Sequence, residues 1–192
     1  MQRLLPVLVL LSACSKKAPE PEQTPPPVAT TTATVTTAAM SARAAPTAPD
    51  DIAWTAPPSF LSVPNPNPMR KATYRFEHVA GDLEDGELTV SAAMGGAEAN
   101  IQRWSGQFGN AEAKTEPRTV NGLKVIVAEL KGTYASGGMM GGPSTSKPKS
   151  MLLGAVIDAG QRQYFFKLTG PEKTVTAAKK DFDALVSSAR AK

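Results

Sequence analysis

The 192-residue sequence contains one cysteine, Cys14, and one histidine, His78. Without a second cysteine there is no intrachain disulfide, so whatever folds must rest on a hydrophobic core. One histidine and one cysteine cannot supply the usual three or four zinc ligands, and any Ser-His-acid triad would have to run through His78. There is no Gly-x-Ser-x-Gly elbow, no Gly-x-Gly-x-x-Gly fingerprint and no Walker pattern. Arginine-rich and aromatic-interleaved stretches are also missing, and a formal charge of +4 is too mild to argue for nucleic acid. These absences leave no metal, no cofactor and no nucleic acid among the expected partners. The apolar segment Leu4 to Leu11 is too short to span a bilayer.

What is present begins with that segment. Arg3 gives a positive start, Leu4 to Leu11 an apolar run, and Ser12-Ala13 the small residues that a signal peptidase requires. Leu11-Ser12-Ala13-Cys14 resembles the bacterial lipobox, in which the cysteine is acylated on sulfur and becomes the new N-terminus. The resemblance implies a signal peptide over residues 1–13, palmitate-type acyl chains on Cys14 and a membrane as first partner. Each buried acyl methylene contributes about 0.8 kcal/mol, so two or three chains hold where one would not. Ser15 stands where an aspartate is associated with inner-membrane retention, which points to the outer membrane of a bacterial envelope. The competing reading is cleavage near Ala13 that releases a soluble secreted chain. Loss of the leader removes Arg3 and no acid, taking the formal charge from +4 to +3.

From Cys14 to residue 50 the chain is rich in Pro, Thr and Ala, with almost no large apolar side chain. Such a segment cannot bury enough surface to offset its ordering entropy, so a disordered spacer is expected, extending about 3.1 Å per residue where polyproline II persists. Lys16 and Lys17 lie beside the anchor, where they can meet anionic head groups.

Residues 51–192 form the expected domain, of ordinary size. Trp54, Pro57, Pro58 and Phe60 describe an irregular entry that packs on a sheet through its aromatics. Met69 to Val79 alternates, with Ala72, Tyr74 and Phe76 on one side, and Glu87 to Met94 repeats the pattern at Leu88, Val90, Ala92 and Met94. The two read as an antiparallel hairpin. Ala97, Ile101, Trp104 and Phe108 then recur at helical spacing. Lys114 to Val120 and Leu123 to Tyr134 flank Asn121-Gly122, the strongest hairpin signal in the chain. After a long aperiodic loop from Ser136 to Ser150, Met151 to Ile157 and Gln161 to Leu168 are apolar almost throughout, so both faces need cover. One closing helix supplies it, with Pro171 at its first position, a stripe of Val175, Ala178, Phe182, Leu185 and Val186, and an end near Arg190.

This order of elements, with FFKLTGPEKTVTAAKKDFDALVSSAR as closing strand and helix, resembles the PsbP-like α/β/α sandwich. That family includes the extrinsic protein of photosystem II and DcrB-like bacterial envelope proteins. The resemblance implies an antiparallel sheet with helices on both faces and a non-catalytic assembly or accessory role. Trp54 to Phe108 is also similar to uncharacterised bacterial lipoproteins with a Trp-Pro entry and an Asn-x-x-Arg-Trp helix, here Asn100, Arg103 and Trp104. No activity follows from them.

Site chemistry is sparse. His78 shares parity with Tyr74 and Phe76 and is read as a packed or hydrogen-bonded residue at the core's edge. Asp82, Glu84, Asp85 and Glu87 read as a solvated hairpin tip, since their spacing is not that of an EF-hand. The 136 to 150 loop offers Met139 and Met140 as adaptable apolar contacts and Lys147 and Lys149 for an acidic partner, with Trp54 as a further contact. The expected function is therefore a membrane-anchored envelope lipoprotein whose domain binds another envelope protein or complex and is not an enzyme. The alternatives are a periplasmic carrier of a small molecule or ion, with a pocket between helix and sheet, and a hydrolase that uses His78.

Overall fold

The computed structural model describes residues 51–65, 67–136 and 145–192. The leader, Cys14, the spacer, Met139 and Met140 lie outside the described residues. The elements run β1 (Ile52–Ala53), β2 (Phe60–Ser62), β3 (Arg70–Phe76), β4 (Gly86–Ala93), α1 (Ala97–Gln107), β5 (Lys114–Val120), β6 (Leu123–Ser136), β7 (Thr145–Asp158), β8 (Gln163–Pro171), α2 (Glu172–Ala177), α3 (Lys179–Ser187) and β9 (Arg190–Ala191). One seven-stranded sheet has the order β2-β3-β4-β8-β7-β6-β5, and β1 pairs with β9 separately. Every pairing is antiparallel.

The apolar runs in β7 and β8 explain the two-sided cover. Their residues alternate between faces: Leu152, Val156 and Phe165 pack with Ile101 and Trp104 of α1 and with Phe108 at its C-cap. Met151, Leu153, Ile157, Phe166 and Leu168 join Val175, Phe182, Leu185 and Val186 of α2 and α3 on the other face. The result is the antiparallel α/β/α sandwich expected from the sequence. Gly154 makes the α1 layer close, because a Cβ there would meet the six-membered ring of Trp104, 2.9 Å from its Cε3.

Local chemistry sets the turns. Asn121 (φ 48°) and Gly122 (φ 83°) take the two positive φ values of a type I′ turn. Asn121 also donates from Nδ2 to the carbonyl of Ala189 at 2.8 Å, tying that turn to the end of α3. Asp82, in the β3–β4 turn, accepts from the Thr174 backbone N–H at 2.9 Å and from its hydroxyl at 2.7 Å, satisfying a free donor in the first turn of α2.

Several expectations need correction. The closing helix is two helices with a break at Ala178, and it ends at Ser187 instead of near Arg190, which belongs to a short strand, β9. Pro171 ends β8 with extended backbone (ψ 142°) and caps α2 from outside, so it is not the first helical residue. Met94 lies beyond β4 and is 86% exposed, off the buried row that Leu88 and Val90 define. The expected loop also ends earlier, because residues 145–150 belong to β7. Hydrophobic periodicity could not show this: TSKPKS is polar on both sides, and its strand conformation follows from pairing with β6.

Candidate functional site

β6 and β7 are each 14 residues long, whereas β8 has nine. Ser150 pairs with Pro171, the last residue of β8, so Thr145, Ser146 and Lys147 pair with β6 alone. A two-stranded ribbon therefore extends past the sheet. Its register shifts between Gly132 and Tyr134, and opposite that irregularity Lys149 adopts a left-handed φ of 52°. Lys147 pairs with Tyr134 across the ribbon and bonds the Glu84 carboxylate in the β3–β4 turn. This contact links the ribbon to the body of the sheet. Leu83, next in sequence to Glu84, is 96% exposed.

At the ribbon's base lies a charged cluster that the sequence reading missed. Lys167 sits in β8 on the α1 face, between Phe165 and Thr169 in alternation. Its Nζ donates to Gln107 Oε1 at 2.7 Å and to the Tyr134 hydroxyl at 3.3 Å, and lies 5.1 Å from the centre of the Tyr134 ring. That ring packs on Phe108 with centroids 5.2 Å apart. None of the ion pairs among the described residues includes Lys167 or Arg103. Burial first, then the positive charge of Arg103, offset by Glu87 and reinforced by Arg70, brings the Lys167 amine down to about 8. Arg70 holds Glu87 at 3.4 Å, and Arg103 donates to Asn100 Oδ1 within α1. Burial and the nearby Glu87 raise Tyr134 above the ordinary phenol value. The one sequence signal for this cluster is a lysine that interrupts the apolar closing strand.

The residues singled out from sequence are not all brought together. Lys147 and Lys149 share the ribbon, while Trp54 packs edge-on to Phe166 at 5.4 Å and donates from Nε1 to the Tyr74 hydroxyl at 3.0 Å. Trp54 also contacts Tyr164, near the start of β8, and the ribbon leaves from its end. At about 3.3 Å per residue the two lie roughly 20 Å apart along that strand. Trp54 thus belongs to the core of the entry segment, together with Tyr164, whose hydroxyl donates to Asp51. Burial and that carboxylate push the Tyr164 hydroxyl up to about 12.

His78 does not enter the core. It is exposed, and both its backbone N–H, at 2.9 Å, and its Nδ1, at 2.7 Å, meet Asp85 Oδ1. Arg75 at 2.8 Å and then His78 hold the Asp85 carboxyl well below the usual carboxylate range. The acids 82, 84, 85 and 87 accordingly serve different partners, and among the described residues no group of three metal-ligating side chains forms. A separate cleft of about 350 Å³ lies between β5, β6 and α3 over Val127, Leu153 and Phe182. Most of its rim charges are paired with one another, Arg118 with Glu116 and Asp183, and Lys179 with Glu129 at 2.8 Å.

No protein-family model matches the chain, and no curated protein does. Among solved structures it is similar to cyanobacterial PsbP (CyanoP) from Synechocystis sp. PCC 6803, with 14% identity over 78% of this chain and 96% of that one and a TM-score of 0.46. It is also similar to LpqN of Mycobacterium tuberculosis, a protein involved in cell envelope biogenesis, with 12% identity over 77% and 86% of the two chains and a TM-score of 0.45. The antiparallel α/β/α arrangement stands on the sheet order and layers described above.

Proposed function

We propose that the chain is a lipid-anchored lipoprotein of a bacterial envelope, held in the outer membrane through Cys14, whose domain is a non-catalytic module that docks on another envelope protein through the β6–β7 ribbon. The observation that carries this reading is the ribbon itself. It extends past β8, it is solvent-exposed over most of its described length, and it carries Lys147 and Lys149. A paired ribbon with a short tie to the body presents ordered side chains at little entropic cost, which suits recognition. Its lysines suit an acidic surface on the partner.

The test compares three forms in intact envelopes: the native chain, Cys14→Ala, and Lys147→Glu combined with Lys149→Glu. The native form fractionates with the membrane and captures one defined envelope protein on crosslinking. Cys14→Ala moves to the soluble fraction. The double charge reversal stays anchored and loses the partner. A Cys14→Ala form that remains membrane-bound removes the anchor from the account, and undiminished capture by the charge reversal removes the ribbon.

A further inference from the structure

We propose that the cluster at the base of the ribbon is an anion site, in which Lys167, Arg103 and Arg70 take a phosphate-class oxyanion on the α1 face of the sheet. The argument goes beyond the docking role and holds whether or not the ribbon has a partner.

Lysine is almost never buried without a paired charge, because an uncompensated ammonium loses its hydration and gains nothing in return. Lys167 is mostly buried and is met by two neutral acceptors, Gln107 Oε1 and the Tyr134 hydroxyl. Two of its three N–H donors are thereby used. The charges that reach it are Arg103 from α1, Arg70 from β3 and Glu87 from β4. On β7 its partner is Gly154, which adds no charge, and on β6 it meets Tyr134. That leaves three cations facing one carboxylate, and Glu87 is already engaged with Arg70.

An oxyanion would supply the missing charge. Guanidinium forks match the paired oxygens of phosphate, and an ammonium adds a point charge on a third. Lipid head groups and free phosphate share this chemistry.

The experiment uses the full chain, isotope-labelled, and follows the side-chain amide of Gln107 by NMR. Inorganic phosphate is titrated at constant ionic strength against chloride, and in a second arm vesicles of phosphatidylglycerol are compared with vesicles of phosphatidylcholine. The expected result is a saturable shift with phosphate, with phosphatidylglycerol, or with both, and none with chloride or phosphatidylcholine. A response to phosphate alone assigns a small solute, and one to the anionic vesicles assigns a head group. Lys167→Gln weakens binding by at least about tenfold, as loss of a charge-assisted contact should. Arg103→Gln changes an exposed side chain, leaves the fold intact and gives a similar loss. Absence of any saturable response in both arms overturns the proposal, as does native-like binding by Arg103→Gln and Lys167→Gln together. Binding that falls as pH rises through about 8 identifies the Lys167 ammonium as the contact, and pH-independent binding over that range removes Lys167 from the site.

Discussion

At the scale of single residues, two paired positions on the α1 face of the sheet, Gly154 of β7 and Lys167 of β8, hold opposite problems. Gly154 pairs with Lys167 and lies under Trp104, so the α1 face allows one close ring contact at the cost of a side chain. Gly154→Ala forces Trp104 or α1 outward, and a loss of about 1–3 kcal/mol in chemical unfolding is expected, as for other overpacked cores. Lys167 has the reverse difficulty, a charge where the layer is otherwise apolar. Its folded value, about 8, lies below the ordinary 10.5, so between those values the unfolded chain binds more protons than the folded one. The folded state is penalised below pH 8, and the penalty lifts as pH rises, by up to about 3 kcal/mol. Native stability should therefore climb from pH 8 toward 10.5 relative to Lys167→Met, which lacks the titrating group. Parallel stability curves for the two chains would contradict the assignment of a buried ammonium. Asp51 has the opposite sign. Its carboxyl is lowered first by the Tyr164 hydroxyl, so that contribution is present at neutral pH and is lost as pH falls through the folded value.

Elements were legible in the sequence wherever a period or a turn code carried them. Asn121-Gly122 named its hairpin outright, and the i, i+3, i+7 spacing of Ile101, Trp104 and Phe108 named α1. The pattern failed where conformation is imposed from outside. Thr145 to Ser150 is a strand because β6 pairs with it, and nothing in its own polar residues announces that. The break at Ala178 is equally silent, since Ala178 and Phe182 keep the apolar stripe through it. Lys167 was visible as a letter, but its isolation depends on which residues α1, β3 and β4 bring to it. Asn121 does more than the turn code says, because its amide also holds the end of α3. Asn121→Ala should then cost about 2 kcal/mol, the sum of a strained positive φ and a lost tie, whereas Asn121→Gly should cost about half that, measured by denaturant midpoint. At Lys149 the left-handed φ of 52° is borne by a residue that gains nothing visible from it, so Lys149→Gly should stabilise the ribbon by about 1 kcal/mol.

At the scale of the whole molecule, the described chain is a sheet with both faces covered and both edges blunted. β2 is three residues long, and β5 carries Pro117. In a two-residue hairpin the closing pair, Val120 and Leu123, exchanges hydrogen bonds, so Pro117 falls at a position whose N–H would point outward. The proline removes an edge donor and no ladder bond, and Pro117→Thr should keep the fold while adding a self-associated species in light scattering at high concentration. The surface left for recognition is the ribbon end, where β6 and β7 run on alone beside the cluster of Lys167, Arg103 and Arg70. The most direct test of that account is photo-crosslinking in intact envelopes from single probes at position 147, on the ribbon, and at position 124, near the opposite end of the same strand pair. An adduct with one envelope protein from position 147 and none from position 124 is the predicted result. Adducts of equal yield from both positions, or from position 124 alone, would contradict it.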